Sequence, residues 1–257
     1  HGLFVEILQE EINNGNFELS DIVLGEELEE FNDARNKYLE DKITSAIISE
    51  DEMSDNASTL AVYYDITNPN APVKIREHLQ DGEYISSNLY EGKLCLVTAK
   101  TISVSSQMDE DFAVPSFIVD GVKVNLSEDD IHYARNDPDK SCLFVTVTDV
   151  DDFTKGVGRL ALFGTGNEVY CTPSAIICAR EFVSVEKDKN GERSTMTEGY
   201  RINIVGSSVE CAGWYRLKGS LIGGVSVDEK SGHLRAVASD GSTNRLYVLD
   251  DKMNFVI

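Results

Sequence analysis

From about residue 60 onward, apolar and polar positions alternate in short runs rich in β-branched and aromatic residues, broken by Gly, Asn and Asp. That pattern predicts many short antiparallel strands rather than helices. The clearest unit spans about 60–100. It opens with Leu60-Ala61-Val62-Tyr63-Tyr64-Asp65, turns through Thr67-Asn68-Pro69-Asn70-Ala71-Pro72, and returns as Val73-Lys74-Ile75-Arg76-Glu77-His78-Leu79. Alternation resumes in Tyr84–Tyr90, turns at Glu91-Gly92 and closes with Lys93–Thr98. Four strands in about 40 residues is the content of one propeller blade.

The period recurs. A second unit fits about 142–183, from Cys142–Asp149 through Arg159–Phe163 and Glu168–Cys171 to Ala175–Ala179. A third fits about 199–239, from Tyr200–Val205 through Gly213–Leu217 and Leu221–Ser226 to His233–Ala238. Asn244–Asp250 then repeats the opening of the first unit, with Asp250 where Asp65 stands, so a partial blade is expected from residue 244. Gly2–Leu8 reads as the closing strand of a blade. The fold class is therefore all-β, a whole or partial β-propeller of four-stranded antiparallel blades over 59–257, preceded by a separate segment over 1–58.

Within that segment, Leu24, Leu28, Phe31, Ala34 and Tyr38 recur at helical spacing behind a Ser20-Asp21 cap, which predicts an acidic helix over 20–48. Charge sets the segment apart, because residues 1–60 hold 16 Asp and Glu against 3 Lys and Arg. The formal charge of the whole chain is -22, so phosphate backbones are repelled and nucleic acid is not an expected partner. No apolar run is long enough to span a membrane. The stretch 104–140 is polar and too long for an ordinary connection, which marks it as a functional or mobile loop.

Three stretches carry a family resemblance. They are Val62–Pro72 with Gly82–Ser87 and Leu94–Thr98; Pro115-Ser116-Phe117 with Asp130-Ile131-His132-Tyr133; and Gly219-Ser220 through Ser226–Glu229 and Gly232–Ala238 to Asn244–Asp250. On these the chain resembles a family of secreted bacterial and archaeal proteins with a C-terminal β-propeller domain distantly related to WD-type repeats. The resemblance implies the propeller fold and an extracytoplasmic location, secreted or attached to the cell surface. It brings no catalytic residues with it.

Candidate chemistry is sparse. Asp130, His132 and Tyr133 place a carboxylate and a phenol beside an imidazole, a set suited to ligand binding or general base work, or else to docking the long loop on a blade. Asp149, Asp151 and Asp152 offer carboxylates at one turn, which makes calcium possible although the spacing of a dedicated calcium loop is missing; a solvated acidic turn is the plain alternative. No other cofactor is indicated. Gly164-Thr165-Gly166-Asn167 lacks the Gly-Lys ending of a phosphate loop and reads as a turn. Tyr63, Tyr64, Tyr84, Tyr90, Tyr170, Tyr200, Trp214 and Tyr215 could stack on sugars or peptides, or pack between blades. The five cysteines, odd in number and set in apolar runs, are expected to be buried free thiols.

The expected function is a noncatalytic extracytoplasmic binding or scaffold module for a protein or glycan partner. The alternative is an extracellular hydrolase or lyase with an acidic and histidine site at the propeller channel.

Overall fold

The computed structural model describes residues 3–11, 16–23, 58–101, 115–134, 141–166, 168–172, 174–187, 191, 193–222 and 226–256. Among the described residues the regular elements are strands, apart from one 3-10 turn at Glu128–Asp130, and the strands make four sheets. The first contains β1 (Leu3–Glu11), β2 (Asn16–Val23), β3 (Ser58–Asp65), β4 (Val73–Asp81), β7 (Ser116–Val119) and β8 (Val122–Asn125), in the order β2-β1-β3-β4-β7-β8. The second runs β5-β6-β10-β11-β9, built from β5 (Glu83–Tyr90), β6 (Lys93–Thr101), β9 (Ile131–Tyr133), β10 (Ser141–Asp149) and β11 (Gly158–Phe163). The third is a plain meander of β12 (Glu168–Cys171), β13 (Ala175–Lys187), β14 (Arg193–Val205) and β15 (Ser208–Lys218). In the fourth, β16 (Ser220–Leu221), β17 (Val227–Lys230) and β19 (Asn244–Leu249) all pair with β18 (His233–Ser239). The first sheet belongs to one compact unit and the other three largely to a second.

The helix expected over 20–48 is not supported. Its opening residues, Ser20–Val23, belong to β2, and residues 24–57 lie outside the described residues. Asn16–Val23 alternates Phe17, Leu19 and Ile22 with polar neighbours, and pairing along the length of β1 decides that short-range ambiguity for strand. β1 in turn pairs with β3, from Leu3↔Asp65 to Glu10↔Ser58, so the N-terminal strand shares a sheet with the residues after 58.

Each sequence repeat is two hairpins, and the two lie in different sheets. Over 60–100, β3 and β4 lie in the first sheet while β5 and β6 lie in the second; over 142–183, β10–β11 and β12–β13 divide between the second and third; over 199–239, β14–β15 and β16–β18 divide between the third and fourth. A glycine marks the crossing. Gly82 (φ +101°) and Gly219 (φ +104°) hold backbone that L side chains rarely adopt, and a Cβ on either would approach within 2.8 Å of the Ala99 carbonyl or 2.7 Å of the Ser239 carbonyl. A buried hydroxyl fixes each crossing: Thr59 donates to the Gly82 carbonyl at 2.9 Å, and Thr197 to the Gly219 carbonyl at 2.7 Å. The middle repeat uses Ser141, whose Oγ accepts from the Gly166 amide at 2.9 Å.

Asn244–Leu249, which repeats the opening of β3 in sequence, pairs with β18 and is part of the fourth sheet. Beyond it Phe255 bridges Leu249, and the Val256 amide donates to the Val248 carbonyl at 2.8 Å.

Of the polar stretch 104–140, residues 115–134 are described. β7 and β8 form a hairpin that adds to β4, closed by a primed turn in which Asp120 (φ 50°) and Gly121 (φ 81°) are both left-handed. Glu128–Asp130 then leads into β9, which lies parallel to β11 at the edge of the second sheet. Cores lie between sheets. Ala175, Ile177 and Ala179 of β13 pack with Tyr215 and Leu217 of β15 against Leu234, Ala236 and Ala238 of β18, small residues facing large ones, each fully buried aliphatic contributing roughly 2 kcal/mol.

Candidate functional site

At one end of the second sheet, the β10–β11 turn packs beside the β5–β6 turn. β10 is buried along almost its whole length, which carries Asp149 into the interior; its side chain is 1% exposed. One carboxylate oxygen takes the Lys155 ammonium at 2.5 Å and the Lys93 ammonium at 3.0 Å, and the other accepts the Asp151 and Asp152 amides at 3.1 and 3.2 Å. Lys155 first, and then Lys93, hold the Asp149 carboxyl well below the usual carboxylate range against interior burial, which would raise it. Asp152 accepts from the Thr154 amide and hydroxyl. The three aspartates expected to offer calcium oxygens thus form a turn whose buried carboxylate is neutralised by two lysines. Among the described residues, no three His, Cys, Asp or Glu side chains gather as metal ligands.

The other predicted set lies elsewhere in that sheet. Asp130 accepts from the Ser127 amide and hydroxyl, each at 2.7 Å, and from Arg159 Nε at 2.9 Å. Partial burial would raise its carboxyl, but these partners outweigh it and the net direction is down. His132 is half-buried on β9 opposite Leu162, while Tyr133, 63% exposed, stacks on Phe163 with ring centroids 5.1 Å apart. The three residues are neighbours along the chain, yet the carboxylate is engaged by Ser127 and Arg159, and the phenol ring by Phe163.

Between the third and fourth sheets, the same end is plugged. Arg201, nearly buried, donates from Nη2 to Glu229 Oε1 at 2.9 Å and from Nε to Asn203 at 2.7 Å. Thr172 and Ser174 hydroxyls also donate to Glu229, at 2.6 and 2.8 Å. Burial would raise the Glu229 carboxyl; Thr172, Arg201 and Ser174 bring it below its usual value.

Between the second and third sheets, no such ion pair fills the gap among the described residues, and a recess of about 170 Å³ remains. Its buried floor is Cys95, Ile176 and Thr172, with Cys171 and Ile204 half-buried above. Asn88 and Lys93 stand at the walls, and exposed Tyr90, Glu91 and Gly206 form the mouth. Tyr90 is 43% exposed, and its hydrogen bond to Glu91 raises the phenol above its ordinary value. Glu91 (φ 47°) and Gly92 (φ 71°) make a primed two-residue turn, so the mouth is held by the tight geometry of a hairpin.

Of the recess residues, the sequence singled out Tyr90 as a stacking aromatic and Cys95 and Cys171 as buried thiols. Lys93, Asn88, Thr172 and Ile204 carry no local signal, because three hairpins distant in sequence bring them together. All five cysteines are free. Burial pushes the Cys95 and Cys171 thiols up and takes Cys178 to about 12, so they behave as small apolar groups.

Largely antiparallel sheets of four to six strands, linked by hairpin repeats staggered across them, fit a β-propeller. The model of the beta propeller domain family matches residues 22–256, and the chain belongs to that family. A search of curated proteins finds no match. No helix among the described residues is long and apolar enough to cross a membrane.

Proposed function

We propose that this propeller is a noncatalytic binding module that holds a segment of a partner protein at the recess between its second and third sheets. The observation behind this reading is the contrast between equivalent gaps: one is closed by Arg201 and Glu229, the other is open over an apolar floor with polar groups at the rim. Apolar depth with a few polar groups at the mouth is the usual composition of a site that anchors a side chain and hydrogen-bonds the backbone around it. The carboxylate that suggested general base work, Asp130, is engaged by Arg159, and Asp149, which suggested calcium, is engaged by two lysines. The family resemblance favours an extracytoplasmic setting, where such a module would meet other envelope or secreted proteins.

The test is to screen the protein side by side against a displayed library of random peptides and an array of glycans. Asn88→Trp and Ile204→Phe, each of which narrows the recess, serve as controls. Peptide binders that lose at least tenfold in affinity on both variants support the reading. Glycan binders sensitive to the same variants would replace the protein partner with a sugar, and binders indifferent to both would remove the recess from the function.

A further inference from the structure

The recess also carries information about the sequence of what it holds. This inference rests on the reading above. Among the described residues that line it, two are charged, Glu91 and Lys93. Lys93 is turned to Asp149 at 3.0 Å, and Lys155, which shares that carboxylate, also faces Asp152 at 3.8 Å, so the two ammonium groups are matched by two carboxylates. Glu91 is different. It is exposed at the mouth, its neighbour there is the Tyr90 phenol, and no cation of the protein pairs with it in the described structure. The formal charge of -22 extends the same sign over the whole molecule.

The depth imposes the opposite demand. A side chain entering the recess points its far end at Cys95 and Ile176, and a charge delivered there would lose its hydration without gaining a counter-ion. The volume admits one side chain of modest size. The charge that Glu91 attracts therefore belongs on a neighbouring residue, outside the floor, within reach of the carboxylate and the face of Tyr90.

We propose that the recess recognises a two-part motif in a partner protein: one apolar side chain inserted on the Cys95–Ile176 floor, with a lysine or arginine beside it in sequence against Glu91 and Tyr90. The long-range field speeds encounter with basic segments, and the floor fixes the register of the anchor.

Peptides recovered from the random library on the wild-type protein test this directly. The expected sequences pair an aliphatic residue with Lys or Arg within two positions. For one such peptide, affinity falls about fivefold on Glu91→Gln, falls further on Glu91→Lys, and weakens as salt is raised. Replacing the peptide's apolar residue by Ala, or narrowing the recess with Asn88→Trp, costs at least tenfold. Recess-dependent peptides without a basic residue, or with unchanged affinity on both Glu91 variants, would overturn the motif while leaving the binding site standing. An absence of recess-dependent peptides would overturn the site itself. Circular dichroism of each variant, matching the wild type, separates lost binding from lost fold.

Discussion

Acidification should loosen the first sheet through a single residue. His78 lies on β4, fully buried, packed on Phe117 at 5.2 Å between ring centroids, and neither ring nitrogen has a hydrogen-bond partner among the described residues. Burial, with the nearby Arg76 charge adding to it and Asp120 opposing, pushes its pKa from 6.5 down to about 3. The unfolded chain takes up this proton below pH 6.5, whereas the folded chain refuses it until about pH 3. Stability is therefore complete above pH 6.5 and falls by about 1.4 kcal/mol per pH unit below it, which comes to about 2 kcal/mol at pH 5. Glu77, raised by burial and by Asp120, acts in the other direction as pH falls, so a variant is needed to isolate the histidine. His78→Leu keeps a similar volume and removes two unsatisfied polar atoms, each worth about 1–3 kcal/mol when buried unpaired. At pH 7 it should be no less stable than the wild type. Hydrogen exchange of β3 and β4 amides, corrected for intrinsic rates at pH 7 and pH 5, measures local opening. The wild type should lose about 2 kcal/mol more than the variant between these conditions. Parallel losses would refute the reasoning.

Other substitutions probe the fold around the recess. In Gly199→Ala, the new Cβ would lie 2.2 Å from the buried Tyr215 ring, and overpacking should cost about 2–3 kcal/mol in urea unfolding followed by Trp214 fluorescence. Glu198→Ala leaves Arg180 and Arg216 without the fully buried carboxylate between them and should cost about 3–5 kcal/mol in the same assay. Asp149→Ala strips the acceptor from two lysines and two amides, costing about 2–3 kcal/mol. Because the folded Asp149 pKa is depressed, the wild type should keep this contribution down to about pH 4 and lose it on further acidification.

The strands were legible because alternation and turn chemistry are local. Tyr84–Tyr90, Glu91-Gly92 and Lys93–Thr98 announce a hairpin, and β5–β6 is one. Sheet membership is not local. Gly82 reads as one more turn, and only its left-handed φ and its approach to Ala99 show that the chain there leaves one sheet for another. The repeat was therefore visible as a period, while its offset from the sheets was not. At the N-terminus, Ser20-Asp21 reads as a helix cap in the sequence, and only the pairing of Asn16–Val23 with β1 shows that these residues are strand. Among candidate sites, Asp130 and Asp149 attracted notice for their charge, and the partners that occupy them come from Ser127, Arg159 and Lys93, residues that gave no signal. The recess has no motif because its floor and mouth belong to three hairpins, one from each of three repeats.

The most direct test of the binding account is the amide chemical shift map of the isotopically labelled protein titrated with a recovered peptide. The account predicts perturbations gathered at Asn88–Lys93, Cys171–Thr172 and Ile204–Gly206. Shifts centred on Ile131–Tyr133 instead, or none at the recess with a peptide that binds, would contradict it.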